Sequence, residues 1–154
     1  MTLTIPAVGS PAPDFSLNST SGDVVTLAQF KGKSNVLLAF FPLAFTSTCT
    51  AEMCAFTEDY SVFADKGVTV LPISVDAVPS LKAFKEQYKM GVELLSDFKR
   101  EASRAYGTLM ESTFFSNRAY FLIDKQGVVR WSYVEETPGT RRENSEILAE
   151  IGKL

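Results

Sequence analysis

Apolar positions along this chain fall into two kinds of run, and their spacing predicts the elements. Val36 to Phe41 and Val68 to Val75 are largely continuous apolar stretches, the pattern of strands buried on both faces. Between them Met53, Phe56, Tyr60 and Phe63 recur at helical spacing. Thr50 to Asp65 therefore reads as a helix, closed by Lys66-Gly67. Pro79 to Met90 reads as a second helix, with Pro79 near its first turn and Gly91 just past its end. Leu94 to Asp97 is a short segment leading to a third helix over Arg100 to Tyr106. Ala119 to Ile123 and Val128 to Tyr133 are strands joined by the turn Asp124-Lys125-Gln126-Gly127. A terminal helix runs from Asn144 to Leu154. Upstream, Val8 to Leu17 is extended and ends in a short strand from Asp14. The turn Ser21-Gly22-Asp23 then leads to a strand over Val24 to Leu27.

The order is β, β, β, α, β, α, α, β, β, α. Helices alternating with buried strands predict a mixed central sheet covered by helices on both faces. The last two strands form an antiparallel hairpin. This is a thioredoxin-like α/β arrangement with an N-terminal β extension, expected as one domain over residues 1–154.

Composition narrows the function. A net charge of −3 provides no basic field for nucleic acid. No apolar stretch is long enough to cross a bilayer, so no membrane partner is expected. Met1-Thr2-Leu3-Thr4-Ile5-Pro6 has neither a basic n-region nor an apolar h-region and does not read as a signal peptide. Two cysteines do not make a disulfide scaffold, and the default location is cytoplasmic. The sequence contains no histidine. That excludes Ser-His-Asp and Cys-His dyads, and a zinc site would need carboxylates to complete the two cysteines. Acid–base work would fall to a perturbed carboxylate, thiol, lysine or water.

Cys49 is the leading candidate for chemistry. The strand over Val36 to Phe41 ends at Pro42, and the helical pattern begins beyond Cys49. The thiol is therefore expected in a loop entering a helix N-terminus. Unpaired N–H groups and the helix dipole favour negative charge there, and the thiolate is the nucleophilic form. Without a histidine, the helix terminus, hydroxyls and an arginine must activate it. A buried structural cysteine is the alternative. The hydroxyls of Thr46, Ser47 and Thr48 argue against a purely apolar slot.

The residues Pro42-x-x-x-Thr46-x-x-Cys49 resemble the active-site signature of the peroxiredoxins. Asn117-Arg118-Ala119-Tyr120-Phe121-Leu122-Ile123-Asp124-Lys125-Gln126-Gly127 is similar to a second block of that family. The resemblance extends from Gly9-x-x-Ala12-Pro13-Asp14-Phe15 to the terminal helix. It implies a thiol-dependent peroxidase without metal, haem or flavin. Cys49 would attack one oxygen of hydrogen peroxide or an organic hydroperoxide and become a sulfenic acid. Thr46 would hydrogen-bond the thiolate and the peroxide, and Pro42 would shield the thiolate from water. Arg118 would hold the thiolate charge and polarise the peroxide. Glu52, expected in the first helical turn, would either suit the helix dipole or orient the arginine. Arg104, Arg141 or Arg142 would be a supporting arginine.

Within the family two subgroups compete. Phe40 to Thr46, Leu94 to Phe98 and Ala105-Tyr106-Gly107 look like the AhpE-type one-cysteine enzymes. Thr50 and Cys54 look like the bacterioferritin-comigratory, or PrxQ, type, in which a second cysteine five positions on resolves the first. Residues five apart on a helix have Cα atoms roughly 8 to 9 Å apart. A disulfide usually needs less than about 7 Å. A Cys49–Cys54 bond therefore requires the first helical turn to unwind. The alternative for Cys54 is a core thiol beside Met53 and Phe56. The expected reductant is thioredoxin-like, or mycoredoxin-like or a small thiol if Cys54 is inert. A homodimer follows by resemblance, with Phe114-Phe115, Trp131 and Tyr133 as core or interface aromatics. Lys82, Lys85 and Lys89 read as a solvated helix face. Two other readings share the fold. A thioredoxin-like disulfide oxidoreductase would want Cys-x-x-Cys, but Glu52 stands at the second position. A non-catalytic binding module would leave Cys49 unreactive.

Overall fold

A computed structural model describes residues 4–154. Met1 to Leu3, which open the segment that does not read as a signal peptide, lie outside the described residues.

The central strand β3 (Asn35–Phe40) organises the molecule. It runs parallel to β4 (Val68–Ser74) on one side and antiparallel to β8 (Ala119–Ile123) on the other. Outward from β8 lies β9 (Val129–Val134). Outward from β4 lie β5 (Leu95–Ser96), β1 (Ser16–Ser19) and β2 (Val24–Thr26). The mixed seven-stranded order is β2-β1-β5-β4-β3-β8-β9. A hairpin missed by the apolar pattern, β6 (Leu109–Met110) with β7 (Phe115–Ser116), stands apart from this sheet. Strands of two residues carry too few alternations to show a period.

Pro72 lies inside β4, where a missing N–H would normally break a ladder. Ile73 accepts from the Phe41 N–H, so alternation turns Pro72 away from β3. On that other side β5 pairs only with Ile73 and Ser74, so Pro72 faces no strand.

Alternation along β3 divides the core. Leu37, Ala39 and Phe41 face a layer that holds Met53, Phe56, Phe63, Leu81, Phe84 and Ile147. Those residues come from α1 (Ser47–Glu58), α2 (Tyr60–Asp65), α3 (Val78–Gln87) and α5 (Asn144–Ile151). Val36, Leu38 and Phe40 face the opposite layer, with Phe15, Leu17, Phe121, Ala102 and Tyr106. Ala102 belongs to α4 (Glu101–Ala105). Each apolar run is thus buried on both faces.

The helix expected over Thr50 to Asp65 is two helices that part at Asp59, and the first begins earlier, at Ser47. Asn144 bridges that break, donating to the Ala55 carbonyl at 2.9 Å and to Asp59 at 2.8 Å. The second expected helix ends at Gln87, and Lys89 beyond it adopts a positive φ of 51°. Lys85 is only partly solvated, because its Nζ donates to the Val92 carbonyl at 2.8 Å.

Candidate active site

The loop between β3 and α1 carries the signature residues. Asp76 anchors it: Oδ2 accepts from the Ala44 N–H at 2.9 Å and from the Ser74 hydroxyl at 2.7 Å. Phe45 then takes a positive φ of 67° and rests on the Phe84 ring. That reversal aims the chain into α1. Thr46 is the extended residue before the helix, and its carbonyl accepts from the Thr50 N–H at 2.9 Å.

Because α1 starts at Ser47, Cys49 is its third residue rather than part of a loop. Its N–H remains outside the helical ladder, with those of Ser47 and Thr48. For the same reason Glu52 sits in the second turn, beyond the first-turn place expected for it. The Cys49 side chain is fully buried.

Arg118 lies at the end of the β7–β8 connection, and its backbone N–H is held by the Asn117 side chain at 2.8 Å. Its guanidinium is only 1% exposed. Nη2 donates to Cys49 Sγ at 3.0 Å, and Nη1 donates to Glu52 Oε1 at 2.9 Å. Nε and Nη2 also reach the Pro138 carbonyl, at 3.3 and 3.0 Å. The second Glu52 oxygen accepts from the Tyr120 hydroxyl, which itself accepts from the Arg142 N–H at 3.0 Å. One guanidinium thus joins a thiol, a carboxylate and a carbonyl.

The charges are set by these partners. Burial pushes the Glu52 carboxyl above the usual carboxylate range, against the Arg118 charge, the Tyr120 and Arg118 hydrogen bonds and the Arg141 charge. Burial also works against the Arg118 charge, but Glu52 and Cys49 outweigh it and push the guanidinium up. Burial and the Glu52 charge push the Tyr120 phenol up, so it remains a donor.

A shallow pocket lined by Pro42, Leu43, Thr46, Thr48, Phe115 and Pro138 opens onto Arg118. Fixed donors beside a buried sulfur, under a small apolar mouth, suit attack on a small polar molecule. Among the described residues no cluster of acidic, cysteine or histidine side chains could hold a metal.

These positions carry a known pattern. Residues 8–132 match the AhpC/TSA family. The chain belongs to the AhpC/TSA family. It is a peroxiredoxin of the AhpE/PrxQ type and a thiol-dependent peroxidase. It is similar to alkyl hydroperoxide reductase E of Mycobacterium tuberculosis, with 37% identity covering 88% of this chain and 90% of that protein. It is also similar to a putative peroxiredoxin bcp of Coxiella burnetii, with 37% identity over 79% and 84% of the two chains. The reduced crystal structure of Plasmodium vivax 2-Cys peroxiredoxin superposes with a TM-score of 0.87 at 33% identity, covering 94% and 80% of the two chains.

Of the residues that this peroxiredoxin's sequence singled out, the fold joins Cys49, Glu52 and Arg118 by direct contact. Pro42 is buried beside the same pocket. The Thr46 hydroxyl donates to the Leu43 carbonyl at 2.9 Å, not to Cys49, and Thr46 lines the pocket. Cys49 and Cys54 are both free thiols in one helix, and Cys54 is half-buried. Arg104 pairs with Glu111, outside the site. Arg142 pairs with buried Glu135 and contributes its backbone N–H. Arg141 acts on Glu52 through its charge.

Sequence reasoning missed Tyr120, Asp76 and the Pro138 carbonyl. Tyr120 looked like one more apolar strand residue. The available signal was its hydroxyl, the single polar side-chain atom in Ala119 to Ile123, which burial obliges to find a partner. Phe115, expected as a core or interface aromatic, lines the pocket.

Proposed function

We propose that Cys49 is the peroxidatic nucleophile of this peroxidase and that Arg118 is its electrostatic partner. The 3.0 Å contact from Arg118 Nη2 to the buried Cys49 sulfur carries this reading. The thiolate attacks the nearer peroxide oxygen, forming an S–O bond as the O–O bond breaks. The electron pair leaves on the far oxygen, which takes up a proton to become water or an alcohol. Cys49 is left as a sulfenic acid. Arg118, already beside the sulfur, stabilises the charge that moves onto the leaving oxygen. Thr46 and Pro42 shape the mouth, and Glu52 steadies the guanidinium.

The second half of the cycle is assigned to Cys54. The Cys54 thiol gives up its proton and its thiolate attacks the Cys49 sulfenic sulfur. The S–S bond forms as the S–O bond breaks, and the leaving hydroxide takes up a proton to become water. A thioredoxin-like dithiol then reduces that disulfide. Both thiols lie within Ser47–Glu58, so the step requires the N-terminal turns of α1 to unwind. Thr46, Ser47 and Ala51 are exposed, which lowers the packing lost in doing so. A one-cysteine cycle with a mycoredoxin-like or small-thiol reductant is the second reading, and the unbroken helix between the two thiols favours it. A homodimer and a cytoplasmic location complete the proposal. Two free thiols suit a reducing compartment.

Intact mass with peptide mapping after one equivalent of hydrogen peroxide tests this. The expected result is loss of two hydrogens with Cys49 joined to Cys54. Oxygen on Cys49 with Cys54 free would select the one-cysteine cycle. An unreactive Cys49 would overturn the assignment.

A further inference from the structure

Glu52 has two carboxylate oxygens, and each has one buried donor. Oε1 takes Arg118 Nη1 at 2.9 Å, and Oε2 takes the Tyr120 hydroxyl. Tyr120 Oη also receives the Arg142 N–H at 3.0 Å, which fixes the direction of its own proton. That proton is left to point at Glu52. With the proton so directed the carboxyl accepts at both oxygens, an arrangement that suits the ionised group.

Glu52 is 1% exposed and Tyr120 is fully buried, so no water substitutes for either bond. The groups that act on Glu52 are Arg118 and Tyr120 from β8 and its approach and Arg141 from residues 135–143, and Cys49 on its own helix shares the Arg118 guanidinium with it. Burial already raises the proton affinity of Glu52. A proton on Glu52 would weaken its hold on Nη1, and the guanidinium would lose one of the contacts that aim it at the sulfur.

We propose that Tyr120 is a positioning residue for the peroxidase reaction, holding Glu52 ionised and aligned so that Arg118 stays directed at Cys49. The Tyr120 hydroxyl bonds Glu52 and the Arg142 N–H rather than the sulfur, and Tyr120 is not among the residues that line the pocket. It acts through Glu52 and, by the Arg142 N–H, ties the site to residues 135–143. This rests on the reading of Cys49 and Arg118 given above.

Tyr120→Phe removes one oxygen and keeps the ring beside Trp131. The test is the second-order rate of Cys49 oxidation by hydrogen peroxide as a function of pH, with thermal melting alongside. The variant is expected to lose roughly tenfold or more at acidic pH, the scale of a hydrogen bond to a charged group, and to recover as pH rises. This new limb is expected to vanish in the Glu52→Gln background. Infrared spectra of the reduced proteins provide a readout without peroxide. A protonated carboxyl band is expected at neutral pH in Tyr120→Phe and absent from the parent protein. A rate equal to the parent's at every pH, or a uniform fall that tracks a lowered melting temperature, would overturn the proposal. If the phenylalanine chain does not fold, difluorotyrosine at position 120 supplies a stronger donor. Its limb should move to lower pH, and an unmoved profile would overturn the proposal. A parent protein with no Cys49 reaction would instead sink the peroxidatic assignment, while the infrared comparison still reports on Tyr120.

Discussion

Arg118 Nη2 stands 3.0 Å from Cys49 Sγ, across 69 positions of sequence, with both side chains buried. The contact joins the start of β8 to the first turn of α1. Glu52, on the same helix, takes the other arm of the guanidinium. The arginine is thus clamped between a thiol and a carboxylate before any substrate arrives.

That clamp makes Arg118→Lys a sharp test. Lysine keeps the charge but has no planar fork, so one ammonium cannot serve Cys49, Glu52 and the Pro138 carbonyl together. The peroxide rate is expected to fall about 10²- to 10³-fold, the scale for losing one fixed donor at a reacting centre. Stopped-flow fluorescence of Trp131, the single tryptophan, would follow it. Less than a threefold loss, on the order of 0.6 kcal/mol, would remove Arg118 from the chemistry.

Asp76 holds the active-site loop from the end of β4. Asp76→Ala frees the Ala44 N–H and the Ser74 hydroxyl. A cost of about 1 to 3 kcal/mol is expected, because each part-buried group loses its acceptor. The loop that carries Thr46 should loosen too, so the peroxide rate should fall more than stability alone explains. Urea unfolding and the rate at a temperature where the variant is fully folded separate the two effects. Unchanged values of both would show that Asp76 is not the anchor.

Asp124 gives a prediction in pH. Burial opposes its ionisation, but the Val128 N–H, the Arg130 guanidinium and the Gln126 N–H outweigh burial and hold the carboxyl below its ordinary range. A depressed carboxyl adds stability above its unfolded pKa, about 4, and loses it as pH falls through the folded value. The parent protein should therefore lose stability through that acid window. Asp124→Asn should flatten this part of the profile, measured by melting temperature against pH. An equally steep acid limb in the variant would mean that other carboxylates carry it.

Much of the frame was legible in the chain. The apolar runs over Val36 to Phe41, Val68 to Val75 and Ala119 to Ile123 marked the three central strands, because a strand buried on both faces has no polar positions to spare. The terminal hairpin showed in its turn residues. Helix boundaries were less legible. Ser47, Thr48 and Cys49 belong to α1 although hydroxylic residues seldom signal helix interior, and the Asp76-anchored loop decides that start. Glu52 and Tyr120 were ambiguous for a different reason. A lone carboxylate on a helix and a lone tyrosine in a strand have ordinary local explanations, and their pairing spans 68 positions.

By itself the sequence determined the three central strands and their burial on both faces, the approximate places of the longer helices and that one cysteine follows a strand end. These follow from local periodicity and turn chemistry, which act over a few residues. Only the tertiary structure decided that Arg118, Glu52, Tyr120 and the Pro138 carbonyl converge on Cys49. The antiparallel pairing of β3 with β8 sets that convergence, since it brings Phe40 opposite Ala119 and so delivers the residue before β8 to the mouth of α1. Hydrogen bonds between buried polar groups form where backbone register places them, and no local pattern records that register.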